Sequence, residues 1–183
     1  MCHRLKSLIY AGRPYGGVAF LWRRFIANLV QVVGSSEDGR CLIITINLGG
    51  KLLLQIVNMY FPCSSTATQY SVDLGNCLGF IEDSVDACER TVVVGDFDFP
   101  CVTSHVGFTQ CQPVFDRLDI AHCDDLIITP KPISFVNGLG YSSFTDHCFT
   151  PSSIRHYVSQ TDITDSGNNL SDHAPYCEPA TPL

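Results

Sequence analysis

The chain has 183 residues, 45% of them hydrophobic and 16% charged, with a mean hydropathy of +0.15, enough apolar material for one substantial core. These values exclude an intrinsically disordered chain, which needs low hydrophobicity and dense charge, and a coiled coil, which needs long heptads. The net charge of −7 is uneven: residues 1–36 carry +5 through Arg4, Lys6, Arg13, Arg23 and Arg24, and the remainder carries −12. An acidic whole argues against a broad basic footprint for nucleic acid and suits either a solvated acidic surface or carboxylates converging on a divalent cation.

The longest apolar stretches, residues 41–46 and 52–61, are shorter than the roughly 20 residues of a spanning helix. Near the start, the apolar run 8–11 is shorter than the core of a signal peptide. A nuclear or cytoplasmic protein, neither membrane-bound nor secreted, is expected. The ten cysteines then read as buried thiols rather than a disulfide framework. No pair has C-x2-C spacing and no histidine stands at zinc-finger distance. His122-Cys123 and His147-Cys148 are adjacent pairs, which cannot by themselves place two ligands around one metal.

In chain order, residues 18–22, 29–33, 41–48 and 52–60 read as four successive strands bounded by Gly, Ser, Asp or Asn. Gly49-Gly50-Lys51 is a hairpin turn between the last two, so the first half is an antiparallel meander. Between residues 68 and 88, Tyr70, Leu74, Cys77, Leu78, Ile81, Val85 and Cys88 recur at steps of three and four, which predicts an amphipathic helix. Residues 91–94 form a β-branched run ending in Gly95-Asp96, the pattern of a central strand with a carboxylate at its tip. A shorter helix is expected around Val114, Phe115 and Leu118, and strands at 125–129, 143–149 and 154–158.

Gly95-Asp96-Phe97-Asp98 sets two carboxylates two residues apart at a strand end, so both can point into one cleft. Ser171-Asp172-His173 and Asp146-His147 offer an Asp and a His that, once brought together, work as an oriented general base.

Taken in order, Gly16-Gly17-Val18-Ala19, Asn58-Met59-Tyr60-Phe61-Pro62, Gly95-Asp96-Phe97-Asp98, Ser143-Phe144-Thr145-Asp146-His147 and Leu170-Ser171-Asp172-His173-Ala174-Pro175 resemble the endonuclease/exonuclease/phosphatase superfamily. Within it they look most like the endonuclease domain of a non-LTR (LINE-type) retrotransposon, over about residues 12–175 of a single domain spanning 1–183. The resemblance implies an α/β fold, a four-layer α/β sandwich, and a Mg2+ or Mn2+ site that cleaves phosphodiesters. It further implies DNA as partner and a reverse transcriptase domain in the parent element. Carried onto matching positions, His173 is the base or phosphate-contacting histidine and Asp146 orients it. Asp96 aligns the attacking water, Asp172 is a metal or outer-shell carboxylate, and Tyr60 and Ser134 contact phosphate.

Three departures accompany the resemblance. The family's opening strands, with an active-site Asn and a Gln-Glu pair whose Glu is the main metal ligand, have no counterpart in this sequence. The fold is therefore expected to be incomplete, with the first strands of one sheet missing. Asp98 stands where the family has Asn, so an ionised side chain would repel phosphate instead of donating to it. Pro179 and Pro182 interrupt the closing strand. An impaired DNA-nicking endonuclease is thus expected, the alternatives being a non-catalytic remnant that binds DNA or a protein, and a phosphatase.

Overall fold

The computed structural model describes residues 17–50, 52–63, 67–123, 133–158, 162–163, 172–174 and 176–177. Strands β1 (Val30–Ser35), β2 (Cys41–Asn47) and β3 (Leu53–Tyr60) form the expected antiparallel meander. The β2–β3 turn closes because Gly49 and Gly50 take positive φ (103° and 61°) and the Asn47 side chain accepts the Gly49 amide at 2.9 Å.

Helix α1 (Ala67–Ala87) then crosses over to β4 (Thr91–Asp96), which pairs parallel to β3. A parallel neighbour requires such a crossover, and the helix supplies it while burying Leu74, Cys77 and Ile81 at the predicted spacing. Gln55 ties the unit together: its Nε2 donates to the Ser84 carbonyl at 2.7 Å and to Thr91 Oγ1 at 3.1 Å, inside the protein.

Helix α2 (Val106–Arg117) follows, capped by His105, whose Nδ1 accepts the Gly107 amide at 3.2 Å. It is longer than its apolar pattern indicated, because its first two turns carry few large apolar residues. Next come β5 (Ile120–His122), β6 (Phe135–Val136), β7 (Ser142–Ser143) and β8 (Asp146–Pro151), then β9 (Asp162–Ile163) and β10 (Tyr176–Cys177).

The main sheet has the order β1-β2-β3-β4-β8-β5. On its helix-covered face, Cys41, Val57, Met59, Val93 and Phe149 pack with Leu74, Cys77, Ile81, Cys111 and Phe115 into one core. Phe61, Phe97 and Phe99 extend that core beneath the end of β4, with Phe61 and Phe97 stacked at 4.4 Å between centroids. The opposite face presents Leu54, Ile56, Asn58, Val92 and Val94 around a cavity of about 410 Å³ closed on one side by Phe20. The α/β class is as expected. Of a second sheet, the described residues show only the β6–β7 and β9–β10 ladders.

Several elements differ from expectation. Residues 18–22 run without a strand partner, held across the sheet by Asn58 Nδ2 donating to the Ala19 carbonyl at 3.1 Å, with Leu21 fully exposed. Residues 154–158 carry a 3-10 helix, Arg155–Tyr157, instead of a strand, because the chain turns where the Ile154 amide donates to the Pro151 carbonyl. The strand expected over 143–149 divides at Phe144-Thr145, where the Thr145 carbonyl accepts the Phe97 amide at 2.8 Å. Near the end, Tyr176 and Cys177 do pair, with Ile163 and Asp162. The strand expected at 125–129 lies outside the described residues. Among the eight described cysteines none forms a disulfide, and Cys41, Cys77, Cys111, Cys123 and Cys148 are buried as expected.

Gly95 sits at φ 144°, where an added Cβ would meet the Met59 carbonyl oxygen at 1.9 Å. Replacing it forces β3 and β4 apart. Gly95→Ala is expected to lower stability by about 3 kcal/mol or more, read as a drop in the urea midpoint with an unchanged slope.

Candidate active site

Register builds the site. Tyr60 pairs with Asp96, and Asp96 pairs with Asp146, so three side chains from β3, β4 and β8 stand in one row on one face of the sheet. This row lies at the C-terminal ends of β3 and β4, beside the ladder that carries His173. There, His173 bridges to Phe135, the Val136 amide donates to the Asp172 carbonyl at 2.9 Å, and the Ala174 amide donates to the Ser134 carbonyl at 2.7 Å.

His173 meets the row through both ring nitrogens. Nδ1 lies 2.8 Å from Asp146 Oδ2, and Nε2 lies 3.7 Å from Asp96 Oδ2. An ionised carboxylate only accepts, so Nδ1 carries the proton and Nε2 faces Asp96 and the cleft. The Asp146 hydrogen bond raises the His173 pKa above its ordinary value despite opposing burial, and the charges of Asp146, Asp96 and Asp172 add to the rise. The Phe135 ring packs 5.0 Å from the imidazole and walls one side of it.

Asp96 is pinned from behind: its Oδ1 accepts the Asp98 amide at 2.9 Å, closing a tight turn in which Asp98 takes φ 55°. Burial raises the Asp96 pKa, with the Asp146 charge adding to it and the Asp98 amide opposing it. Asp98 itself is exposed as a residue, yet partial desolvation of its carboxyl and then the Asp96 charge push its pKa up to about 6. Burial likewise raises the Tyr60 pKa, followed by the charges of Cys63, Asp96 and Asp98.

Other predicted residues lie close by in different settings. Ser134 is buried, and its Oγ accepts the amides of Thr145 and Asp146 at 3.0 and 3.1 Å, so it holds the backbone that aims Asp146. Asp172 is exposed and stands outside the group formed by Asp96, Asp146 and His173, whose ligand atoms all lie within 4.8 Å of one another. Sequence reasoning missed Arg40 and Phe135. The Arg40 guanidinium lies 5.4 Å from the Tyr60 ring centroid and donates to the Tyr60 and Phe61 carbonyls at 3.4 and 3.3 Å. Nothing in the surrounding sequence marks Arg40, because its role depends on the β2–β3 register.

Two carboxylates and an imidazole at this separation fit a divalent cation, the carboxylates being the hard oxygen donors that Mg2+ and Mn2+ prefer. No helix of the described residues is long and apolar enough to cross a membrane.

The fold is similar to that of solved nucleases and of an endonuclease/exonuclease/phosphatase family protein. The chain is similar to the endonuclease domain of TRAS1, a telomere-specific non-LTR retrotransposon, at 14% identity and a TM-score of 0.59, covering 83% of this chain and 80% of that one. It is also similar to the 3′-5′ exonuclease NExo from Neisseria meningitidis, at 15% identity and a TM-score of 0.62, over 80% of this chain and 68% of that one. A third likeness, to the AP endonuclease LMAP from Leishmania major, has 15% identity and a TM-score of 0.63, over 77% of this chain and 54% of that one. No family model and no curated protein sequence matches the chain.

Two measurements probe the electrostatics. In an NMR titration the His173 ring is expected to deprotonate above the ordinary histidine value of 6.5, and Asp146→Asn is expected to lower that midpoint. Asp98 is harder to ionise folded than unfolded, so its charge penalises the fold in full above about pH 6; the penalty fades as pH falls from about 6 and is gone below its ordinary 3.8. Asp98→Asn, which tolerates the same positive φ, is expected to raise the melting temperature at about pH 7.5 and leave it unchanged at about pH 3.5.

Proposed function

We propose that this chain is a divalent-metal-dependent phosphodiesterase that nicks DNA. The observation that carries the reading is the Asp146–His173 pair facing Asp96 at 3.7 Å, at the end of three adjacent strands. DNA as substrate is supported by the similarity to a retrotransposon endonuclease domain and to a Neisseria 3′ phosphatase described as bound to a product DNA hairpin. In this reading the parent element also encodes a reverse transcriptase, and the nick serves retrotransposition.

Phosphodiester hydrolysis needs an activated water, a neutralised phosphate and an in-line approach. Asp146 holds the proton on His173 Nδ1, which leaves Nε2 to take the proton of the attacking water. The Asp146 hydrogen bond raises the His173 pKa, which strengthens it as a base. Asp96, fixed through its other oxygen by the Asp98 amide, aligns that water. Tyr60 donates its hydroxyl to a phosphate oxygen, and Arg40 steadies the Tyr60 ring. Ser134 positions Asp146 through two backbone amides, and Asp172 contributes charge from the rim. Asp96 and Asp146 would hold the divalent cation, which when bound would supply phosphate neutralisation and Lewis acidity.

Asp98 opposes the reaction, because above about pH 6 its charge repels the incoming phosphate. The chain is therefore an impaired enzyme. A second reading, a non-catalytic DNA-binding relic, is favoured by one feature: among the described residues the donor group holds only two carboxylates.

Nicking of supercoiled plasmid with Mg2+ or Mn2+ separates the two. The first reading expects chelator-sensitive nicking that falls by roughly 10²- to 10⁴-fold in His173→Ala and Asp146→Ala, and rises in Asp98→Asn at about pH 7.5. A folded chain that binds plasmid and leaves it intact establishes the relic instead.

A further inference from the structure

We infer that the protein carries a second metal site, for a zinc-class cation, formed by Cys101, His122 and His147. It is independent of the site at the sheet end. The ligand atoms of these three residues all lie within 4.8 Å of one another. They come from the loop after β4, the end of β5 and the second residue of β8, at sequence separations that match no zinc signature.

Hydrogen bonding fixes the chemistry. His147 is buried, and its Nε2 lies 2.9 Å from the Phe99 carbonyl oxygen, which can only accept. That nitrogen therefore carries the ring proton, and Nδ1 presents its lone pair toward His122 Nε2 at 3.1 Å. A ligating histidine whose other nitrogen is anchored on a backbone carbonyl is the arrangement that orients metal-bound imidazoles. The separation also suits a shared ion. Two nitrogens each about 2.0–2.1 Å from a tetrahedral zinc stand about 3.3 Å apart, within a few tenths of an ångström of the spacing seen.

One sulfur and two nitrogens select a borderline or soft cation over Mg2+ or Ca2+. Three protein ligands leave a fourth position for water. Access is available on the His122 side, where that residue lines a surface cavity of about 330 Å³ with Asp116, Asp119 and Phe149.

Side chains alternate along a strand, so Asp146 and His147 lie on opposite faces of β8. An ion at His147 clamps β8 to β5 and to the loop after β4, behind the strand that delivers Asp146. Bound there, the ion holds the end of β8 in register.

The test uses the whole purified chain with Zn2+ and Co2+ as probes. Zn2+ is expected to bind and raise the melting temperature, and Co2+ is expected to give a sulfur-to-cobalt charge-transfer band that reports this site alone. Cys101→Ser should abolish that band, and His122→Gln should weaken Zn2+ binding by more than the ~10–100-fold that losing an outer-shell partner costs. Cys63→Ser, at an exposed cysteine, and His173→Ala should leave the cobalt band intact, with circular dichroism confirming that each variant is folded. The inference is overturned if the chain binds no Zn2+, if Cys101→Ser keeps the band, or if Cys63→Ser or His173→Ala removes it.

Discussion

The close approach of β4 to β3 at Gly95 is the constraint on which the rest depends. Only a residue without a Cβ can lie against the Met59 carbonyl there, and that contact sets Asp96 directly beside Tyr60. Because β8 pairs with β4 in the same register, Asp146 falls on the other side of Asp96. A slip of one residue would turn all three side chains to the helix-covered face. The aromatic trio beneath, Phe61, Phe97 and Phe99, resists such a slip because each ring is buried and packed against the other two.

The same geometry creates electrostatic strain. Asp96, Asp98 and Asp146 crowd one partly dry corner, and burial with mutual repulsion raises the pKa values of Asp96 and Asp98. His173 answers part of that charge, and its own pKa rises in return. Such perturbed values in one cleft are how proteins poise groups for proton transfer and cation binding. Asp98 is the member whose charge finds least compensation, which explains why an amide there would serve both stability and phosphate approach.

Much of this was legible in the sequence, for identifiable reasons. Helix α1 showed its buried stripe at Leu74, Cys77 and Ile81, and the β2–β3 hairpin showed its glycine turn. The motifs around Asp96, Asp146 and His173 pointed to one cleft, and the structure brings them together. Residues 18–22 misled because the segment pairs with no strand: Phe20 covers the sheet face while Leu21 and Trp22 stay exposed. Ser134, a phosphate contact by resemblance, is buried, and its Oγ accepts the Thr145 and Asp146 amides. Arg40, and the juxtaposition of Cys101, His122 and His147, could not be read at all, since only tertiary pairing of distant strands brings them into place.

The central claim is that Asp96 and Asp146 hold a divalent cation beside His173. Mn2+ titration followed by NMR of the histidine rings tests it most directly, because a bound paramagnetic ion broadens the resonances of nearby nuclei. The account predicts selective broadening of His173, with His105 and His156 remaining sharp, and loss of that broadening in Asp96→Asn with Asp146→Asn. A His173 resonance that stays sharp at saturating Mn2+, or that broadens equally in the double variant, would contradict it.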